Sequence, residues 1–260
     1  MTSSAQTELS HFNLVAHLSR IEDRQQRGYA LAARLNELGP DEAVSIIRLI
    51  RRKALDGHQD SVRLYNGLIF RNALFEVIGR SKMSELVKVA EKRGEFEVLA
   101  VLVDLPDETD GERPHQPYLD ISLREIPLGM RKTLAKSPDF KLIQRVARDQ
   151  DYRVIEHLLN NPRLTERDVV RIGSTRPTSP KVLEVIYNHP RWISRYSVKK
   201  TIVCNPYAPI SLALRLLTFL TLQDLELVCT MTELSPLLVA EAEKVLQKKG
   251  GNRTVEYRLE

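Results

Sequence analysis

The chain has 260 residues, 42% of them hydrophobic and 28% charged, with a formal net charge of +5, enough apolar material for one elongated domain or two compact ones. No stretch approaches the roughly twenty apolar residues of a membrane helix, and Met1 to Gln6 has neither the basic flank nor the apolar run of a signal peptide. Two cysteines, Cys204 and Cys229, are too few for a disulfide framework or a zinc site, so the expectation is a cytoplasmic, non-membrane protein with reduced thiols packed as small hydrophobes.

In chain order, residues 1–8 are polar and read as disordered. The spacing of Phe12, Val15, Ala16, Leu18 and Ile21, followed by the run from Tyr29 to Leu35, predicts two helices or one kinked at Gly28. Pro40 suits a first helical position, Asp41 and Glu42 suit the positive end of the helix dipole, and Val44, Ile47, Leu49 and Ile50 form an apolar face that runs out at Gly57. Leu64, Leu68, Leu74, Phe75 and Ile78 predict a helix stopped by Gly79. Ser81 or Ser84 opens another that ends at Gly94, and Phe96 to Leu105 reads as a short apolar helix. Residues 9–105 are thus helix-hairpin material. Residues 106–120 hold Pro106, Pro114 and Pro117 without apolar periodicity and read as a loop or linker. The brief alternation of Leu119, Ile121 and Leu123 is too short to found a sheet.

An internal repeat follows, within residues 121–250. Tyr152, Val154, Leu158, Leu159, Asn161-Pro162 and Val170 recur 44 residues later as Tyr196, Val198, Ile202, Val203, Asn205-Pro206 and Leu214. Met130, Leu134, Ala135 and Ser137-Pro138 match the first copy at a shift of 24, and His189-Pro190 adds another such step. Helix-start signals stand between the steps. Thr165 with Asp168 and Thr221 with Asp224 have capping-box spacing, while Ser137-Pro138, Ser179-Pro180 and Ser235-Pro236 place a hydroxyl before a first-turn proline. Short helices of this kind cannot each bury an apolar face alone and must stack on their neighbours. The last helix, Leu237 to Lys248, is expected to end at Gly250-Gly251 with a polar outer face that closes the stack, leaving 251–260 as a tail.

The pattern Tyr-x-Val-x-x-x-Ile/Leu-Val/Leu-x-Asn-Pro, followed by Thr165 or Pro209 and an apolar helix, resembles the bacterial leucine-rich-repeat-variant and HEAT-like repeats over about residues 129–217. The resemblance implies an all-α fold, an α-solenoid of stacked short helices, and a scaffold for protein–protein interaction. Some leucine-rich-repeat-variant proteins hold an iron–sulfur centre on a cysteine cluster. This chain has no such cluster, so no cofactor carries over, and the repeat motif transfers no catalytic residue.

No phosphate-binding glycine loop, His-Glu-x-x-His, Gly-x-Ser-x-Gly or Cys-x-x-Cys occurs, and the six histidines are scattered, so a non-enzymatic protein is expected. An enzyme with its site in the groove or the linker is the weakest reading. Charge carries more information. Residues 1–120 hold 16 basic and 19 acidic groups, a net −3, against 23 and 15, a net +8, in 121–260. In the helix predicted after His189-Pro190, Arg191, Arg195 and Lys199 stand four apart, with Trp192 and Tyr196 beside them and Lys200 widening the stripe. A second row, Arg163, Arg167 and Arg171, precedes a similar junction, and the two could join into one band. Such a band suits an acidic protein surface, with Trp192 and the arginines as hot-spot residues. The alternative partner is nucleic acid held by phosphate contacts. Against both stands the plainer reading, in which Trp192 packs between helices and the charges solvate outer faces.

Overall fold

The computed structural model describes the backbone of residues 13–69, 71–104, 123 and 125–256, so residues 1–8 and the expected linker at 106–120 lie outside the described residues. Every regular element among the described residues is helical. The chain divides into two compact units, residues 1–105 with 244–260, and residues 106–243.

The first unit comprises α1 (13–19), α2 (Arg24–Glu37), α3 (Pro40–Leu55), α4 (Gln59–Leu68), α5 (Arg71–Arg93) and α6 (Phe96–Leu102). The break expected at Gly28 lies earlier, at 20–23, where Asp23 caps α2 by accepting from the Gln26 amide at 2.8 Å. Gly28 sits inside the helix for a different reason. A Cβ on it would come within 3.2 Å of the Gly67 carbonyl, and one on Gly67 within 3.3 Å of the Gly28 backbone, so the two glycines let α2 and α4 cross in contact. The buried Arg27 guanidinium next to them donates to the carbonyls of Ile21, Glu22 and Arg63, tying the α1–α2 turn to α4. Of the apolar face predicted on α3, Val44, Ile47 and Ile50 are fully buried, while Leu49 is half-buried and Ile46, which the spacing did not single out, joins the core. The helix expected to run through Leu64 to Ile78 is split after Leu68, and the expected stop at Gly79 is present: Gly79 takes φ 72° and ψ 166°, outside the helical region, so α5 is two helical stretches meeting at a kink there. Phe75, expected on the buried face, is 43% exposed.

The second unit comprises α7 (Leu128–Leu134), α8 (Phe140–Val146), α9 (Tyr152–Leu159), α10 (Glu166–Ser174), α11 (Pro180–Asn188), α12 (Pro190–Ile193), α13 (Tyr196–Val203), α14 (Ile210–Leu217) and α15 (Leu222–Thr230). The helices α9, α11 and α13 bury positions i, i+1, i+4 and i+5: Val154, Ile155, Leu158 and Leu159 in the first, Val182, Leu183, Ile186 and Tyr187 in the second, Val198, Lys199, Ile202 and Val203 in the third. With such faces α9 packs against both α7 and α11, and α10 against α13. A Cβ at Gly173 of α10 would meet the Thr201 methyl at 3.0 Å, so glycine sets that second approach. All eight residues of α14 are buried, the polar pair Ser211 and Arg215 along with the leucines. The final helix, α16 (Pro236–Glu256), runs through Gly250 and Gly251, where the sequence suggested its end, and the division between the units falls within it.

The Asn-Pro steps do more than stop helices. Asn161 is buried, and its amide donates to the carbonyls of Ala135 and Ser137 at 2.9 and 2.8 Å while its Oδ1 accepts from the Arg163 amide at 2.9 Å. Asn205 donates to Gly173 and Thr175 at 2.6 and 3.2 Å and accepts from the Tyr207 amide at 2.9 Å. Each asparagine therefore satisfies carbonyls left over at the C-terminal end of an earlier helix, α7 or α10, and fixes the turn that follows itself.

Candidate basic interface

The first basic row starts in the turn fixed by Asn161. Arg163 lies in that turn and Arg167 and Arg171 on α10, all three exposed. The position of α10 is set by its cap: Thr165 accepts from the Asp168 amide and the Asp168 carboxylate accepts from the Thr165 amide at 3.1 Å, the box expected from the sequence. Gln144 of α8 adds a donor to Asp168 at 2.7 Å. Burial works to raise the Asp168 pKa, but the hydrogen bonds from Thr165 and Gln144, with the charge of Arg171, outweigh it and hold the carboxyl below its ordinary value. Arg171 reaches Asp168 at 3.5 Å, with about half of its side chain exposed.

The second row does not form one helical stripe, because the chain turns at Ser194 between α12 and α13 and Arg191, Arg195 and Lys199 no longer share a helix. Trp192 is 2% exposed, and its indole N–H donates to the Leu159 carbonyl at the end of α9 at 2.8 Å. This is the packing alternative, realised. Lys199 is also buried: its Nζ faces the Ser194 carbonyl at 3.4 Å and lies 4.8 Å from the centre of the Phe219 ring. Lys200 is bound to Asp224 of α15 at 2.7 Å, which raises the lysine pKa. Burial raises the Asp224 pKa, but the hydrogen bonds from Lys200 and Tyr196 prevail and lower it. The Thr221 hydroxyl caps α15 as expected, but the return bond of the box comes from outside. Tyr196 donates its hydroxyl proton to Asp224 and accepts from the Thr221 amide at 3.0 Å.

Arg191 and Arg195 remain exposed. The Arg191 guanidinium lies 4.1 Å from the centre of the Trp192 ring and turns an Nη toward the Leu164 carbonyl at 3.4 Å. Arg195 stands at the start of α13, in the position where Asp151 caps α9, and its Nε lies 3.6 Å from Glu166 on the first turn of α10. Glu166 also accepts from the Ser197 hydroxyl. The two arginines thus come to the segment 164–166, between Arg163 and Arg167. Of the eight residues singled out in the sequence, the five arginines are exposed, and Arg191 and Arg195 come against residues 164 and 166, while Trp192, Lys199 and Lys200 are occupied in packing and an ion pair. Glu166 and His189 were missed. His189 closes the end of α11, with Nε2 3.4 Å from Asn160 Oδ1 and Nδ1 buried without a hydrogen-bond partner among the described residues. Burial, then the charge of Arg191, holds its pKa below the ordinary imidazole value.

No group of three or more His, Cys, Asp or Glu side chains that could hold a metal occurs among the described residues. Cys204 and Cys229, expected to be buried, are partly exposed free thiols whose pKa burial raises. A cavity of about 500 Å³ in the first unit, lined by Leu14, Leu18 and Ile46 among others, has Arg34 and Glu37 at its edge, paired with each other at 2.5 Å. Among the described residues, no helix is long and apolar enough to cross a membrane.

These features define an all-α, multi-helix globular protein with five exposed arginines at positions 163, 167, 171, 191 and 195 of its second unit. Comparison with protein-family models, with curated proteins and with solved structures yields no match for the chain.

Proposed function

We propose that the protein is a non-enzymatic α-solenoid of HEAT-like repeats that binds an acidic protein surface through Arg163, Arg167, Arg171, Arg191 and Arg195. The solenoid reading is supported by the recurrent Asn-Pro turn and by the packing of α9 on α7 and α11. The interface reading is carried by one observation: Arg191 and Arg195, from the segment after α11, come against residues 164 and 166, beside the first arginine row. Among the described residues Glu166 faces Arg195 and Asp168 faces Arg171, while Arg163, Arg167 and Arg191 make no ion pair there, and exposed arginines are the side chains best suited to bind carboxylates in pairs of hydrogen bonds.

The test is affinity capture with the full chain, comparing wild type with a variant carrying Arg163→Glu, Arg167→Glu and Arg171→Glu. The proposal requires an acidic partner that is held by wild type, released at raised salt and lost on charge reversal. A partner held equally by both would remove the arginines as the site. Retention on duplex DNA that falls steeply with salt, without an acidic protein partner, would replace this reading with nucleic-acid binding.

A further inference from the structure

The five arginines are not equivalent, and the difference, which rests on the basic-interface reading, points to how a partner is held. Arg163 and Arg167 are exposed, and their side chains make no hydrogen bond, ion pair or ring contact among the described residues. Arg191 is exposed too, but its guanidinium lies over an indole that is itself immobilised by burial and by the bond to the Leu159 carbonyl. The Leu164 carbonyl holds one corner of the same group. A guanidinium already fixed in place gives up little side-chain freedom when a ligand arrives, and its planar fork matches both oxygens of a carboxylate. Exposed charge on a buried, aromatic platform is the make-up of an interface hot spot.

The surroundings favour a peptide over a nucleic-acid strand. Glu166 keeps 43% of its side chain exposed beside Arg195. A nucleic acid carries a phosphate at every nucleotide and would bring negative charge against that carboxylate, whereas a peptide can set a carboxylate on Arg191 and a neutral residue opposite Glu166. We propose that Arg191 is the anchor of an acidic protein segment: two of its N–H groups donate in parallel to one Asp or Glu carboxylate of the partner. Arg163 and Arg195 supply charge on either side.

The experiment is fluorescence anisotropy of a labelled peptide of alternating Glu and Ser at low salt, titrated with the full chain. Wild type is compared with Arg191→Lys, Arg167→Lys and Arg171→Lys, which keep net charge, after thermal melting has shown that each variant folds. The expected result is a loss of about tenfold in affinity for Arg191→Lys, the fork and the stack being lost together, against a loss of about twofold for each of the other two, which contribute charge that lysine keeps. Equal small effects at all three positions would overturn the anchor and leave the basic surface standing. Absence of peptide binding by wild type would overturn both. A labelled single-stranded DNA bound more tightly than the peptide, and indifferent to Arg191→Lys, would also overturn the anchor.

Discussion

Asn161 and Asn205 make the same three hydrogen bonds 44 residues apart, each donating twice to carbonyls at the end of an earlier helix and accepting once from the amide two residues on. Both are buried. Alanine at either position would strand those carbonyls and the turn amide, so Asn161→Ala and Asn205→Ala should each cost about 2–3 kcal/mol. Aspartate at Asn161 would be worse, since it replaces a donor by a negative charge facing two carbonyl oxygens. Urea unfolding midpoints of the three variants check the order, and an aspartate variant as stable as the alanine variant would refute this account of the turn.

Tyr152 and Tyr196 share a repeat position but not a task. Only Tyr196 has its hydroxyl engaged, closing the cap of α15 between the Thr221 amide and Asp224. Tyr152 instead presents its ring to Arg153 and Lys181, at 5.8 and 5.5 Å. Tyr196→Phe should therefore cost about 1 kcal/mol, the usual worth of a helix cap, while Tyr152→Phe should leave the melting temperature unchanged. Equal effects would mean that the hydroxyl bonds contribute nothing.

Much of the second unit was legible because its buried positions repeat. The fate of Lys199 could have been read the same way: 44 residues before it stands Ile155, one of the four buried positions of α9, so the repeat frame places this lysine in the core whatever its charge. The four-residue spacing of Arg191, Arg195 and Lys199, by contrast, has meaning only along an unbroken helix, and the turn at Ser194 breaks it. The Asn-Pro steps were recognisable as punctuation. Their hydrogen bonds were not, because the partners lie 24 to 32 residues away in sequence and are backbone carbonyls that carry no side-chain signature. Gly28 illustrates the same limit in the first unit: a glycine within a helical pattern reads as a break, and only the crossing of α2 over Gly67 shows that it is there for proximity.

His189 gives a pH dependence with a definite sign. Its pKa in the folded chain lies below the ordinary 6.5, from burial first and from Arg191 second. The unfolded chain therefore takes up this proton first as pH falls. The stability gained from keeping the imidazole neutral is complete above about 6.5 and is lost as pH drops from there through the folded value. His189→Gln, which can still meet Asn160, should flatten the fall in urea midpoint across that window relative to wild type. Parallel curves for the two proteins would show that His189 does not contribute to the acid lability.

Arg195 is the position where stability and binding pull apart. As the first flanking residue of α13 it occupies the place where Asp151 caps α9 through the Arg153 amide at 3.0 Å, yet an arginine has no acceptor to offer a helix start. What it makes instead is a loose, half-exposed pair with Glu166 at 3.6 Å, an interaction worth little in water. Arg195→Asn should therefore supply the missing cap and stabilise the protein by about 0.5–1 kcal/mol, while removing one of the five charges and weakening the binding of an acidic peptide. Thermal melting and anisotropy on the same variant check both halves. A more stable protein with unchanged peptide affinity would take Arg195 out of the interface, and a less stable one would show that the pair with Glu166 outweighs a cap.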